Sequence, residues 1–574
     1  MKAIFRLAAT SSCGLLLYAI LALGACRQKP DRLPEAVGGL ADPVMYALDV
    51  KTFQDSNGDG FGDFVGLTNR LGYLDSLGVN VIWLAPFQPG PGQDDGYDAT
   101  DFFGIDKRLG NRAAFRMFLE KAHNRGIRVI MDIVLNHTSI EHPWFKEAQQ
   151  SRTSRFRKWY VFSKERPDDA DEGMVFPGVQ KETWSFDSVS REYYFHRFYK
   201  FQPDLDYENP EVLEMAEKVI RYWLAQGLDG FRMDAVPFII DVPRTGSAKP
   251  AHLFQILDRL AGTARAVKPD VLLLAEANVT EEENKDYFGE KGERMNLMFN
   301  FYANQYLFFA LSQGNAGPYV KALEKFREKP NGTEWAHFLR NHDEIDLDRL
   351  TDWEQDQVYK HFGPGKNMQL YDRGIRRRLA PMLGNPARVA MAYSLLFSLP
   401  GVPVIRYGEE IGMGDDLSLK ERLSVRTPMQ WNSSRQGGFS AADSLVRPVI
   451  AQGPYGYRKL NVQQQLLLPN SLLNQVRTMI RSRKQVAGFF RQEWRAETLA
   501  SGAVLMMRYL KGGQSLLTLH NFSDQPVEVR VPGSASLFKD SKQIFSLARA
   551  AIGTDGSVAL PAFGSVWYIS GKPQ

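Results

Sequence analysis

The chain has 574 residues, of which 44% are hydrophobic, 24% charged and 12% aromatic, a composition typical of a globular protein with a substantial core. This length exceeds one ordinary domain and indicates roughly two to four domains, one of which could be a large barrel. The formal net charge is only +4 and no block of basic residues occurs, so we expect no nucleic-acid partner.

Residues 1–26 are predicted to be a signal segment rather than part of the fold. Lys2 and Arg6 precede a mostly apolar stretch, residues 7–25, which ends in the sequence LGAC at Cys26. This ending resembles a bacterial lipobox, in which cleavage leaves Cys26 at the N-terminus with a lipid attached. The alternative is an uncleaved membrane anchor, since the apolar stretch is almost long enough to span a bilayer. We expect an exported bacterial lipoprotein, anchored to a membrane in the periplasm or at the cell surface.

Residues 27–41 are polar and contain Pro and Gly, which predicts a tether between this segment and the folded chain. The other cysteine, Cys13, lies inside the signal segment, so the mature chain has no pair for a disulfide. No later apolar stretch is long enough to span a membrane.

From Asp42 onward, short apolar strands alternate with amphipathic helices. Continuously apolar strands in this arrangement indicate a parallel sheet that helices cover on both faces. At least seven strands over about 400 residues favour an α/β fold of the (β/α)8 TIM-barrel type, formed by residues 42–136 and 208–484. The predicted strands are residues 44–49, 79–85, 127–135, the stretch around Phe231, 271–275, 336–339 and 402–405.

The alternation breaks between Asn136 and Pro210, where aromatic and charged residues are frequent and no clean helix is visible. We expect residues 137–207 to form an inserted subdomain B that overhangs the C-terminal face of the barrel, the face that carries active sites. Residues 485–574 contain alternating strands separated by turn sequences, which predicts a C-terminal antiparallel β-sandwich domain.

The segment 55–63, DSNGDGFGD, resembles the first part of a calcium-binding loop. Position 12 of the pattern is Gly66 rather than Glu, so the segment is not a complete EF-hand. Three carboxylates in so short a loop would repel one another without a cation, which favours a structural calcium ion; the alternative is a Gly- and Asp-rich turn without metal. The expected ligands are Asp55, Asn57, Asp59, the carbonyl of Phe61 and Asp63.

The sequence GFRMDAV, residues 230–236, predicts a buried strand on which Arg232 and Asp234 point to the same face. Buried charges are costly unless they are paired or used. The two residues are therefore either a structural ion pair or an arginine that keeps a nucleophilic carboxylate ionised.

Polar residues also end three other predicted strands. They are Asp132 with Asn136-His137, Glu276, and Asn341-His342-Asp343. A glutamate that ends an apolar strand is desolvated, which raises its pKa and suits a general acid. Taken singly, each residue has a structural explanation, but an ionised aspartate and a protonated glutamate across one site are what glycoside hydrolysis with retention requires.

DIVLNHT (132–138), GFRMDAV, LLAEAN (273–278) and FLRNHDE (338–344) resemble the four signature regions of glycoside hydrolase family 13, the α-amylase family, in order and spacing. The resemblance implies that Asp234 is the nucleophile, Glu276 the general acid/base and Asp343 the transition-state stabiliser. It also implies a set of residues that contact the sugar, and a pair between Asp98 and Arg426 that helps to close the pocket. The calcium loop matches a loop found in the oligo-1,6-glucosidase-like branch of the family. The implied sugar-binding residues are Tyr97, Asp98, His137, Arg232, His342 and Arg426.

Within the family, residues 196–212, 374–383 and 407–415, together with VRTPMQW (425–431), look most like trehalose synthases, which interconvert maltose and trehalose. The resemblance implies maltose, malto-oligosaccharides or trehalose as substrate. Two positions depart from the pattern of that branch: Asp206, where Asn is usual, and Arg406, where an aromatic residue is usual. Two other functions stay open, an exported α-glucosidase or α-amylase-type hydrolase and a non-catalytic binding protein. The three retained carboxylates disfavour the latter.

Overall fold

The computed structural model describes residues 37–241, 253–532, 541–547, 550–553 and 556–571. The predicted signal segment with Cys26 and most of the tether lie outside these ranges, so the lipid anchor stays a prediction. Within the ranges, no helix is both long and apolar enough to cross a membrane.

Eight parallel strands close into a barrel, which confirms the predicted TIM barrel. The strands follow one another around the barrel in chain order, and the last pairs with the first. They are β1 (Met45–Leu48), β2 (Val81–Leu84), β3 (Arg128–Ile133), β4 (Gly230–Met233), β5 (Leu272–Ala275), β6 (Leu297–Phe299), β7 (Glu334–Phe338) and β8 (Val402–Arg406).

Strand β6 is the barrel strand that the sequence analysis missed. It has three residues, and the helix Phe301–Gln313 begins only two residues after it ends. One polar residue, Asn300, stands between the strand and the helix, where its side chain accepts the N–H of Ala303, and three apolar residues before it are too few to show a strand period.

Helices surround the barrel and bury their apolar faces against the strands. Between β1 and β2, two helices meet at Arg70, which is not in helical conformation. The longer helices are Arg112–His123, Pro210–Ala225, Gln255–Val267, Phe301–Gln313, Gly317–Lys325, Asp352–Phe362, Pro386–Ser398 and Leu472–Gln485; shorter ones are Val50–Phe53, Phe64–Asn69, Leu71–Leu77, Val236–Ile240, Glu281–Phe288, Leu379–Leu383 and Val462–Leu467.

Side chains that alternate along the strands fill the barrel interior. Met45, Trp83, Ile130, Leu274 and Val404 belong to this buried cluster. Because side chains of a strand alternate with a period of two, the residue two positions beyond Ile130, which is Asp132, also points inward at the upper end of the barrel. The apolar filling therefore ends in a polar layer at the C-terminal ends of the strands.

Between β3 and the helix Pro210–Ala225, the chain forms a small antiparallel sheet of three strands, Phe162–Ser163, Trp184–Asp187 and Glu192–Phe195. It also contains a helix, Pro143–Gln150, that the sequence analysis did not predict. A helix of eight residues has barely two turns, too few for a clear apolar periodicity.

The C-terminal region contains two antiparallel sheets with a buried apolar cluster that draws on both. One sheet has the strands Trp494–Leu499, Val504–Lys511, Gln514–Asn521, Ser565–Ser570 and Lys542–Leu547, in that spatial order. The other has Val527–Arg530, Ser557–Leu560 and Ala551–Ile552.

The predicted calcium loop is a compact turn in which protein donors surround the carboxylates. Asp55 accepts the backbone N–H groups of Asn57, Gly58 and Gly60, and the hydroxyl of Ser440. Asp63 caps the helix Phe64–Asn69, and Asp59 accepts the N–H of Phe61.

These donors weaken the argument that the carboxylates would repel one another without a cation. In the described part of the chain, no group of three or more His, Cys, Asp or Glu side chains is placed to hold a metal ion. The predicted ligands also include Asn57 and the carbonyl of Phe61, which such a group does not count, so calcium stays a prediction with a direct test.

If calcium binds this loop, saturating Ca²⁺ will raise the melting temperature over that in EDTA, because a ligand at about 100 times its Kd stabilises the folded state by ~2.7 kcal/mol. Asp59 is exposed, so Asp59→Ala should abolish this difference without disturbing the core. Differential scanning calorimetry measures both proteins. Equal melting temperatures of the wild type in Ca²⁺ and in EDTA would mean that the loop works as a metal-free turn.

Candidate active site

A buried guanidinium at the C-terminal end of β4 joins three neighbouring strands. Nη1 of Arg232 lies 2.6 Å from Oδ1 of Asp132 and also contacts Asp234, and Nη2 lies 2.6 Å from Oε1 of Glu276. The strand register explains the first contact, because Asp132 on β3 is the direct partner of Arg232 on β4. Only 1% of Arg232 is exposed, and its guanidinium carbon lies 5.4 Å from the centre of the Trp83 ring.

Burial raises the pKa values of two of these carboxylates, Asp234 and Glu276, to different extents. It raises the pKa of Asp234 to about 6 although Arg232 opposes the shift. It raises the pKa of Glu276 to about 7, where Arg232 opposes the shift and Asp234 adds to it. At neutral pH, Asp234 is thus mainly ionised while Glu276 is protonated in a large share of molecules, the division of roles that acid-assisted nucleophilic attack needs.

The third carboxylate, Asp343, lies in a cationic environment. Arg422 Nη1 and Arg426 Nη2 are each 3.0 Å from its Oδ1, and Nε2 of His342 is 3.1 Å from its Oδ2. Burial by itself would raise the pKa of Asp343, but the guanidinium groups of Arg422 and Arg426 hold it well below its usual range. Asp343 is therefore an anion throughout the neutral range and suits the stabilisation of positive charge.

Tyr97 connects these two groups of charges. Its ring lies parallel to the His342 ring at 5.6 Å, and its hydroxyl is 2.6 Å from Nε2 of His342 and 3.0 Å from Oδ2 of Asp132. Nε2 of His137 lies 2.9 Å from the carbonyl of Tyr97. Burial lowers the pKa of both histidines, so they are neutral hydrogen-bonding groups here.

The predicted pair between Asp98 and Arg426 is wrong. Asp98 is completely buried, and its Oδ2 accepts the backbone N–H of Gln93 at 2.7 Å. Its Oδ1 has no hydrogen-bond partner among the residues that the structure describes. Arg426 instead contacts Asp95 at 2.9 Å and Asp343.

The backbone explains this change of partner. The turn DDGYD has positive φ at Asp95 and Gly96. Asp94 lines the cavity, where its Oδ1 lies 2.7 Å from Nη2 of Arg422, while Asp95 pairs with Arg426. Sequence analysis missed Asp94, because the sequence 94–98 does not say which of its three aspartates faces the cavity, and it missed Arg422, which lies between two of the stretches that carry the resemblance.

The two positions that depart from the trehalose synthase pattern lie away from the reacting groups. Asp206 lines a shallow outer groove of the inserted subdomain and is absent from the lining of the central cavity. Arg406 is buried at the end of β8, with its guanidinium carbon 4.4 Å from the centre of the Tyr407 ring. Neither residue lines the cavity that contains Asp234, Glu276 and Asp343.

The carboxylates line a cavity of about 370 Å³, within the roughly 300–1,000 Å³ range of small-molecule sites. The inserted subdomain contributes Val175, Phe176 and Phe198 to its wall. Asp234, Glu276, Asp343, Tyr97, His137 and His342 line it, whereas Arg232 and Arg426 lie behind its surface and hold lining residues.

Comparison with known proteins agrees with this arrangement. A family model described as the alpha amylase catalytic domain matches residues 49–364 and 372–491. Trehalose synthase from Thermus thermophilus is 40% identical over 453 residues, which is 78% of this chain but only 46% of that relative. Trehalose synthase/amylase TreS from Mycobacterium tuberculosis is 38% identical over 497 residues, 85% of this chain and 82% of the relative.

A more distant relative is the oligo-1,6-glucosidase of Parageobacillus thermoglucosidasius, 29% identical over 86% of this chain and 92% of its own length. Among solved structures, the α-amylase from H. orenii superimposes with a TM-score of 0.76 and 26% identity over 93% of this chain and 100% of that one. By its sequence, its barrel and its site, the chain belongs to the α-amylase family, glycoside hydrolase family 13.

Proposed function

We propose that the protein is a retaining enzyme that converts maltose into trehalose through a covalent glucosyl-enzyme. The observation that carries this proposal is the pair of carboxylates Asp234 and Glu276, which both contact Arg232 and line the same cavity. Burial raises the pKa of both, and that of Glu276 is the higher. The choice of an isomerase is supported by relatives named trehalose synthase, one of which matches this chain over 82% of its own length.

In the first step, a carboxylate oxygen of Asp234 attacks the anomeric carbon of the non-reducing glucose. Glu276 donates its proton to the glycosidic oxygen, the C–O bond breaks and glucose is released within the site. Asp343, which its cationic neighbours keep ionised, stabilises the positive charge that develops on the sugar.

In the second step, Glu276 acts as a base and removes the proton from the anomeric hydroxyl of the released glucose. That oxygen attacks the anomeric carbon, the bond to Asp234 breaks, and trehalose forms with Glu276 protonated again. Water in place of glucose gives hydrolysis, which is the second candidate function and is favoured by the relatives named oligo-1,6-glucosidase. The three intact carboxylates disfavour a non-catalytic role.

Incubation of the protein lacking residues 1–26 with maltose is expected to give trehalose in excess of free glucose, because the reactive glucose is enclosed with its acceptor. Both sugars are quantified by chromatography over time. Glucose without trehalose would overturn the isomerase and leave an α-glucosidase.

Asp234→Asn should lose at least about 10³-fold in turnover, since it removes the nucleophile. Asp206→Asn, at a position outside the cavity, is the matched control and should keep its activity.

The pH dependence of kcat/KM for maltose is expected to form a narrow bell. Activity should rise as the pH passes about 6, because Asp234 must lose its proton to attack. It should fall above about 7, because Glu276 must keep its proton to release the leaving group. The two carboxylates interact, so the limbs report the pair rather than either residue alone.

The variant Glu276→Gln separates the two limbs. With α-glucosyl fluoride as donor and azide as acceptor, neither step needs proton transfer, so fluoride release by this variant should lose the alkaline limb and keep the acid limb. A surviving alkaline limb near pH 7 would show that a group other than Glu276 sets that limb.

A further inference from the structure

A second cavity lies toward the N-terminal ends of the barrel strands, away from the three carboxylates. Its volume is about 460 Å³, against about 370 Å³ for the central cavity. Its wall combines the first residues of β7, which begins at Glu334, the loop before that strand, and residues 490–494, where the chain enters the C-terminal sheets. Junctions between domains are places where ligand sites occur preferentially.

Aromatic rings form much of the wall of this second cavity. Phe326 and Trp335 line it with their ring centres 5.5 Å apart. Trp494 is half-buried, and the guanidinium carbon of Arg327 lies 4.9 Å from the centre of its ring. Nη2 of Arg327 also donates to the carbonyl of Trp494 at 2.7 Å. The wall therefore offers flat apolar surfaces, one of which a cation holds in place.

Two side chains of β7 in this wall carry polar groups that have no hydrogen-bond partner. Trp335 and His337 point outward from the barrel, since Ala336 and Phe338 fill its interior. Nε1 of Trp335, a residue that is 5% exposed, has no partner among the described residues. His337 is 6% exposed, and burial with the nearby charge of Arg483 lowers its pKa to about 3.

The neutral imidazole of His337 offers one donor and one acceptor. No hydrogen bond contributes to its pKa shift within the described ranges. Buried polar groups are nearly always hydrogen-bonded, so a ligand with donors and acceptors of its own would supply what this wall lacks.

The charges around the second cavity cancel. Three cationic and three anionic side chains line it, and they are Arg327, Lys329, Arg491, Glu328, Glu334 and Glu493. One of these pairs is direct, because Nζ of Lys329 lies 3.2 Å from Oε2 of Glu334. A balanced wall favours neither an anion nor a cation. Uncharged hydrogen-bonding groups complete the lining, from Asn331, Thr333 and Gln492.

We propose that the second cavity is a binding site for a neutral sugar of one or two pyranose rings. The C–H face of a pyranose is apolar and packs on aromatic rings, while its hydroxyl groups donate and accept hydrogen bonds. An apolar ligand would leave His337 and Trp335 unpartnered, and a charged ligand would find no compensating charge. The argument from size rests on the proposed function, because the central cavity, which is smaller, is proposed to take maltose.

The test measures sugar binding while the central cavity is occupied. 5-Fluoro-α-glucosyl fluoride leaves a slowly hydrolysed glucosyl group on the nucleophile of a retaining enzyme, and mass spectrometry shows whether Asp234 carries it. Equilibrium dialysis with radiolabelled maltose, trehalose and glucose then counts the remaining sites. The labelled wild type is expected to bind at least one of these sugars at one molecule per chain. Saturable binding of none of the three would overturn the proposal.

Two tryptophan variants locate the bound sugar. In the labelled protein, Trp494→Ala should raise the Kd at least about tenfold, because it removes a ring of the wall. Trp353→Ala is the matched control, since Trp353 is 60% exposed and lines neither cavity. It should leave the Kd unchanged. Equal Kd values for the two variants would place the sugar elsewhere and refute the second site.

The variant His337→Leu separates a ligand contact from a structural role. Leucine has a similar volume and no polar atom, so the melting temperature should stay the same or rise. The Kd should rise about three- to tenfold, the factor that corresponds to one net hydrogen bond. Wild-type affinity in a folded His337→Leu protein would contradict the proposal. If Trp494→Ala does not fold, as judged by its melting curve, this variant decides the question.

Failure of the label separates the two proposals. If the fluoride does not attach to Asp234, the proposed covalent mechanism is wrong. The second cavity is then tested in unlabelled Asp234→Asn, where adding Trp494→Ala should weaken one class of sugar site and adding Trp353→Ala should weaken none. Binding isotherms that coincide for these two double variants would refute the second site in that case.

Discussion

Three carboxylates on one buried guanidinium are the constraint on which the site depends. Arg232 pairs with Asp132, Asp234 and Glu276, and none of these charges is stable in the barrel interior without the others. A planar guanidinium presents several donors in fixed directions, which the point charge of a lysine does not. The strand register sets this geometry, because β3, β4 and β5 are neighbours and Asp132 and Arg232 are direct partners.

A second centre of charge lies beside the first and has the opposite balance. Around Arg232 the carboxylates outnumber the cation, and burial raises the pKa of Asp234 and Glu276. Around Asp343 the cations prevail, and its pKa is held well below the usual range. Tyr97 lies between the two centres and contacts a member of each. One cavity thus contains two carboxylates with raised pKa values and one that stays an anion, although all three are Asp or Glu side chains.

The parts of the structure that depend on local periodicity could be predicted from the sequence. Seven apolar strands, the position of the insertion and the charged strand ends at Asp234, Glu276 and Asp343 all follow from alternation and burial cost. Strand β6 could not be predicted in this way, because it has only three residues and an apolar helix begins directly after it. The assignment of Asp98 failed because a left-handed turn, at Asp95 and Gly96, decides which aspartate faces the cavity. The contact of Tyr199 with Tyr371 and Glu421 had no sequence signal, because these residues come from segments that only the tertiary fold brings together.

The carboxylates determine how the glycosidic bond breaks, but not which molecule attacks the intermediate. A hydrolase and an isomerase need the same nucleophile and the same acid, since water and a sugar hydroxyl meet the same anomeric carbon and the same base. The discrimination must therefore come from whatever controls the lifetime of the released sugar in the cavity. In this chain the cavity wall includes Phe176 and Phe198 of the inserted subdomain, which hydrogen bonds of Tyr199 hold to the barrel loops.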